Sequence, residues 1–158
     1  LLTKGAYFTP LDSQADHDMQ QAFKLYAQEP IEGAAALVII DGRSIQTIAQ
    51  ASKVIWFEFE AICQVPRSKR DYLLLVEQYE VLLISHVLQF KPNQDNLVCN
   101  FIALVDVLYD ARKKLILSAD VAIDHLYPQG RFTFEFQRTM SRLTEMQSLA
   151  YLQDYDQL

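Results

Sequence analysis

Two arginines near the end of the chain, Arg138 and Arg142, have the spacing of residues that could bind phosphate. They are four residues apart, so on a helix they project from the same face. Guanidinium groups bind phosphate oxygens through paired hydrogen bonds, and two of them on one face could bind a polyanion such as a nucleotide. The competing interpretation is structural, with both arginines on the surface and paired with Glu135 and Glu145. Spacing alone leaves both interpretations open.

The segment that carries these arginines has the pattern of an amphipathic helix. Phe132, Phe136, Met140 and Leu143 recur at helical spacing on another face, where they could pack against a core. A break at 128–130, with the sequence Pro-Gln-Gly, precedes this segment. The pattern predicts a helical tail that presents its arginines away from the core.

A second group of cations, Arg67, Lys69 and Arg70, lies at the start of a predicted helix. Cations at this end oppose the helix dipole, so a solvated surface cluster is the simpler interpretation. The alternative is an anion held between the cluster and the backbone amides of the helix start. Arg67 is therefore a second candidate for cofactor binding.

The sequence has no pattern of a phosphate-binding loop. Such a loop needs glycines that let backbone N–H groups surround phosphate, then a Lys and a Ser or Thr for Mg²⁺. The four glycines stand outside any such pattern, at Gly5, Gly33, Gly42 and Gly130. The segment 102–106 imitates a Walker B strand, but it lies within a helical stripe, which makes Asp106 a helix residue. The histidines and cysteines lack metal-ligand spacing, so no metal site is predicted.

Composition narrows the class of protein. The chain has 158 residues, of which 51% are apolar and 22% charged, as in a globular domain with a sizeable core. A net charge of −6 argues against nucleic acid held by bulk electrostatics. Apolar runs fall short of the roughly 18 residues of a transmembrane helix. Two cysteines without paired spacing favour a reducing, cytoplasmic compartment.

The order of elements predicts an α/β fold in three sections. Section 1–63 is a short helix followed by a small antiparallel β-meander, whose Asp41-Gly42 step is a strong hairpin signal. Section 64–120 alternates helix and strand, which implies a parallel layer. Section 121–158 is the helical tail. The three sections are expected to form one compact unit.

Four ordered motifs resemble the ZapE and AFG-one-like P-loop ATPases, which are AAA-like. The motifs are FQRTMSRLTEMQS at 136–148, CQVPRSKRDY at 63–72, FIALVDVLY at 101–109 and KLILSAD at 114–120. The resemblance covers 63–152 well and 1–62 mainly by layout. The family usually has Ala-Arg-Arg where this chain has Val98, Cys99 and Asn100, which places the expected arginine role at Arg138 and Arg142.

The resemblance implies the C-terminal region of an ATP-hydrolysing protein of the bacterial cytosol or mitochondrial matrix. Bacterial members are associated with the division ring built by a tubulin-like protein, which is therefore an expected partner. ATP and Mg²⁺ would bind through an N-terminal part, and this chain alone is expected to hydrolyse no ATP. Arg138 and Arg142 would lie at a nucleotide or subunit interface, so a homo-oligomer is also expected. The alternative is a non-catalytic interaction module of the same protein.

Overall fold

A five-stranded sheet with helices on both faces forms the centre of the protein, as seen in a computed structural model that describes residues 5–28, 37–64 and 67–156. The elements follow one another along the chain as β1 (Tyr7–Phe8), α1 (Ser13–Ala27), β2 (Leu37–Ile40), β3 (Arg43–Gln46), β4 (Ala49–Gln50), β5 (Val54–Glu58), α2 (Phe59–Cys63), α3 (Lys69–Gln78), β6 (Val81–Val87), α4 (Asp95–Asp110), β7 (Lys114–Ala119), a 3₁₀ turn (Ile123–His125), α5 (Thr133–Met146) and α6 (Leu149–Asp156). The predicted α/β class is confirmed.

The order of strands across the large sheet is β1-β7-β6-β5-β4. The first four of these are parallel to their neighbours, and β4 is antiparallel at the edge. Helices α3 and α4 make the crossovers from β5 to β6 and from β6 to β7, as the alternating pattern predicted. Strand β6 is apolar along most of its length because both of its faces are covered.

The strands of the predicted β-meander form two antiparallel pairs, but these pairs lie in two different sheets instead of one. Strands β2 and β3 form a separate two-stranded sheet, with Asp41 and Gly42 at the turn in left-handed conformations of φ 52° and 78°. Strands β4 and β5 belong to the large sheet. Five residues of β5 pair with β6 and only two pair with β4. The longer parallel pairing with β6 therefore determines that β5 belongs to the large sheet. Strand β5 ends at Glu58 because Phe59 begins α2.

Alternation along β5 separates two hydrophobic cores. Ile55 and Phe57 enter the core that lies under α2, α3, α4 and α5. Val54 and Trp56 enter the core under α1, where Phe23 lies 5.7 Å from the Trp56 ring. Successive residues of a strand point to opposite faces of the sheet, so the sequence of β5 accounts for this division.

Four aromatic rings tie the helices of the larger core to each other. Phe90 lies 5.2 Å from Phe101 of α4 and 5.8 Å from Phe136 of α5, measured between ring centroids. Phe101 and Phe136 are 6.2 Å apart and stacked. Phe59 adds a fourth ring, 5.8 Å from Phe90. The spacing between α4 and α5 is therefore set by ring packing in the core.

A buried carboxylate joins the small hairpin to α3. The Asp71 side chain accepts the backbone N–H of Ser68 at 2.8 Å, and Arg43 of β3 donates to both of its oxygens at 2.7 Å. Burial alone would raise the pKa of Asp71, but the Ser68 hydrogen bond and Arg43 outweigh it and lower that pKa overall. The carboxylate therefore caps the helix and anchors the hairpin in its charged form.

We expect Asp71→Asn to lower the free energy of unfolding by about 2 kcal/mol, because the amide NH₂ would face donors and the charge-assisted bonds would be lost. Glu80→Gln is the matched control. It weakens the Glu80–Lys113 pair, whose acidic partner is half-exposed, and should change stability by less than about 0.5 kcal/mol. Urea denaturation of both variants at neutral pH measures the difference, and equal losses would contradict the anchoring role.

Candidate functional site

Helix α5 places the two predicted arginines. It buries Phe136 and Leu143 in the core, while Phe132 and Met140 pack at its edge. The predicted apolar face is thereby confirmed. Thr139 and Met146 are buried as well, which makes four buried side chains in α5. The face that carries the arginines therefore has a fixed direction, toward α4.

Arg138 and Arg142 converge on one carboxylate, Asp106 of α4. Arg142 Nη1 hydrogen-bonds to Asp106 Oδ1, and Arg138 Nη2 lies 3.3 Å from Asp106 Oδ2. The structural interpretation named Glu135 and Glu145 as partners. The structure instead places Asp106 against both arginines, because α4 packs along the same face of α5.

The two arginines differ in how much of each remains accessible. The side chain of Arg142 is 20% exposed and its guanidinium lies over the Tyr109 ring, 4.7 Å from the centroid. Asp106 is 19% exposed, whereas Arg138 is 65% exposed. Arg142 is therefore bound within the protein. Arg138 rests on the same carboxylate but presents most of its guanidinium to the surface, where it could contact an anion.

Tyr109 connects this site to α6. Its hydroxyl donates to Glu145 at 2.9 Å, a hydrogen bond that raises the pKa of Tyr109. Its ring stacks on Tyr151 at 6.4 Å and an interplanar angle of 10°. The Tyr151 hydroxyl in turn donates to the Lys113 carbonyl at 2.7 Å. The site thus joins α4, α5, α6 and the loop before β7.

Sequence reasoning missed the role of Asp106. It recognised Asp106 as a helix residue but gave neither Asp106 nor Tyr109 a partner. Both residues lie in the 101–109 motif, three apart and therefore on one side of α4. An acidic and an aromatic residue on one helical face could have indicated a binding surface for a basic side chain. Only the packing shows which helix supplies that side chain.

The second predicted candidate, Arg67, lies apart from its expected cluster. Arg67 Nη2 donates to the carbonyl of Ala61 at 2.8 Å, whereas Arg70 Nε lies 3.5 Å from Asp41 at the hairpin turn. Burial lowers the pKa of Arg67. The carboxylate of Asp71 accepts the hydrogen bond from the Ser68 backbone N–H. An anion at Arg67 would therefore be bound by side chains and not by that N–H.

At the carboxyl ends of β5 and β6, His86 bridges two acidic side chains. Its backbone has φ 67°, its Nδ1 lies 2.7 Å from Glu58 Oε2 and its Nε2 lies 3.6 Å from Asp16 Oδ1. The hydrogen bond to Glu58 raises the pKa of His86. His86 therefore connects β6 to β5 and to α1. Its neighbour Ser85 is buried and accepts the Trp56 indole N–H at 2.8 Å.

Metal-ion clusters and membrane-spanning helices are both absent from the part of the chain that the structure describes. Among residues 5–28, 37–64 and 67–156, no group of three or more His, Cys, Asp or Glu side chains could hold a metal ion. Within the same ranges no helix has the length and apolar character needed to cross a membrane.

The sequence is similar to known proteins along nearly its whole length. The family model described as AFG1-like ATPase matches residues 1–154. Cell division protein ZapE of Escherichia coli (strain K12) is 31% identical over 146 residues, which cover 92% of this chain and 39% of that protein. An uncharacterised protein of Schizosaccharomyces pombe is 29% identical over 179 residues, covering 95% and 39% respectively. Lactation elevated protein 1 homolog B of Danio rerio is 24% identical, covering 71% and 29%.

The chain therefore spans about two fifths of the length of the bacterial and yeast relatives. No solved structure matches it significantly.

We expect Arg142→Ala to destabilise the fold more than Arg138→Ala. The first change leaves a largely buried carboxylate with one weaker partner and removes a stacked guanidinium, at a cost of about 1–3 kcal/mol. The second removes an exposed side chain 3.3 Å from Asp106 and should cost less than about 0.5 kcal/mol. Chemical denaturation of the two variants gives the comparison. The reverse order would show that the assignment of bound and exposed arginines is wrong.

The stability contributed by His86 should depend on pH. Because the folded pKa is raised above the unfolded value of about 6.5, this contribution is complete below the unfolded value and is lost as pH rises through the folded one. The Tm difference between wild type and His86→Asn should therefore shrink as pH rises, as differential scanning calorimetry can measure. His125→Asn is the control, since its exposed imidazole lies 3.9 Å from Asp124. A difference independent of pH would contradict the bridging role.

Proposed function

The chain belongs to the AFG1-like ATPase family, and on that premise we propose that it takes part in ATP hydrolysis within a longer protein. A separate part of that protein would bind ATP and Mg²⁺, since the glycines of this chain form no phosphate-binding loop. The role of the chain would be to supply Arg138 at a nucleotide or subunit interface.

The observation that carries this proposal is the difference between the two arginines on one carboxylate. Arg138 is 65% exposed and suits an external anion, whereas Arg142 is 20% exposed and holds Asp106 in place. ATP, when bound, supplies a phosphoryl group that transfers with negative charge on its oxygens. A guanidinium already oriented toward that charge stabilises it without reorganising at the moment of reaction. Asp106 and Arg142 would provide that orientation.

A role in bacterial cell division is the second element of the proposal. The Escherichia coli relative is named for cell division, and it is 31% identical to this chain. We expect the complete protein to be cytoplasmic and to bind a component of the division ring built by the tubulin-like division protein. Assembly into a homo-oligomer would let Arg138 of one subunit reach nucleotide bound by its neighbour.

A non-catalytic interaction module is the other candidate, and the β2–β3 hairpin favours it. Leu37 and Ile39 are 58% and 67% exposed on the outer face of this two-stranded sheet. Exposed apolar side chains that lie together on a strand are a feature of partner-binding surfaces. In this case the arginines would only hold α5 against α4, and ATP turnover would not depend on Arg138.

In the complete protein we expect Arg138→Ala to lower ATP turnover about tenfold or more, with stability unchanged, because oriented cations contribute that much to phosphoryl transfer. Arg142→Ala should lower turnover to a similar extent by releasing Asp106. Arg131→Ala is the matched control, since Arg131 is also exposed and lies 3.9 Å from Asp95. Steady-state ATPase assays, paired with denaturation curves, make the comparison.

Wild-type turnover in both Arg138→Ala and Arg142→Ala would contradict the catalytic proposal and favour the interaction module. The chain of 158 residues, assayed alone, should hydrolyse no ATP. Turnover by this chain alone would contradict the assignment of nucleotide binding to another part of the protein.

A further inference from the structure

A cavity of about 320 Å³ lies between the end of α2, the start of α3 and the first turns of α4. Its polar lining consists of Gln64, Arg67, Asn96, Cys99 and Asn100. Among the described residues that line it there is one cation and no carboxylate. Its volume lies at the lower end of the range for small-molecule sites.

The guanidinium of Arg67 has unused hydrogen-bonding capacity. Its Nη2 donates to the Ala61 carbonyl, which fixes the direction of the side chain. Its Nε is buried and has no hydrogen-bond partner. This buried Nε is closed to a ligand in the cavity, so an anion there would be bound by the Nη groups, whose N–H geometry suits a carboxylate or a phosphate. Arg67 therefore supplies both the charge and the orientation that an anion site needs.

Carboxamides complete the polar lining. Asn100 Nδ2 donates to the Cys63 carbonyl at 2.8 Å, so this side chain is held in place. Asn96 is exposed in the first turn of α4, where the helix dipole also favours an anion. Amide N–H groups can donate to the oxygens of a carboxylate or phosphate.

We propose that this cavity binds a small anion bearing a carboxylate or a phosphate group, with Arg67 as its counter-charge. The site is separate from the Asp106 site, because Asn100 and Asp106 are six residues apart in α4, about 9 Å along the helix axis. An effect at the cavity is therefore distinguishable from an effect on Arg138.

Cys99 is a natural reporter of occupancy. Its thiol is exposed and lines the cavity, whereas Cys63 is fully buried. In the complete protein, the rate of Cys99 alkylation by N-ethylmaleimide can be followed by peptide mass spectrometry, normalised to a peptide that contains no cysteine. The probes are inorganic phosphate and acetate, each compared with chloride at equal ionic strength.

At least one of the two anions should slow Cys99 alkylation, by about fivefold when its concentration is about four times its dissociation constant. Arg67→Gln should abolish this protection. Asn96→Asp should abolish it as well, by placing a negative charge on the lining without disturbing the fold, since Asp is favourable in a first helical turn. Arg70→Gln, the same change of charge three residues away, should leave protection intact.

Protection by phosphate alone or by acetate alone supports the proposal and identifies the head group. Absence of protection by both anions overturns it. So does protection that persists in Asn96→Asp, a variant that tests the site even where Arg67→Gln does not fold. The ATP turnover of Arg138 variants has no bearing on these outcomes.

Discussion

One carboxylate, Asp106, holds the two arginines together on the helical face where the candidate site lies. Two guanidinium groups on successive turns of α5 repel each other, and Arg142 is too buried for water to screen its charge fully. Asp106 contacts both groups from α4 and offsets that repulsion. The carboxylate is itself mostly buried, so it requires a charged partner in return. Asp106 and Arg142 therefore fix each other in place. Arg138 is oriented by a carboxylate that Arg142 already holds.

The aromatic core makes this arrangement rigid. Phe101 and Phe136 stack between α4 and α5, and Phe90 contacts both rings. Since interiors are close-packed, the helices cannot slide without opening a void. Tyr109 and Tyr151 also stack, and they carry the constraint into α6. The helices that carry the polar site are thus held by aromatic packing, and an exposed arginine on it can be oriented before any ligand arrives.

Local patterns predicted much of the fold. The apolar stripes of α4 and α5, the buried strand β6 and the Asp41-Gly42 turn follow from periodicity and turn chemistry within one segment. The partition into two sheets did not follow, because β3 and β4 have only four and two residues and segments this short do not specify their partners. Their partners are set by the long parallel ladder between β5 and β6, which joins segments that are distant in the sequence. The expected division into sections 1–63, 64–120 and 121–158 stays a prediction.

The sequence by itself determined that Arg138 and Arg142 share a face, because residues four apart on a helix lie next to each other on the same side. It also determined the family, through motifs whose order and spacing are legible without a structure. Only the tertiary structure decided that the two arginines are unequal and that Asp106, rather than Glu135 or Glu145, is their common partner. The physical reason is that exposure and ion pairing depend on what packs against a helix. That neighbour comes from another part of the chain, 32 and 36 residues away from the two arginines, which is beyond the reach of any local pattern.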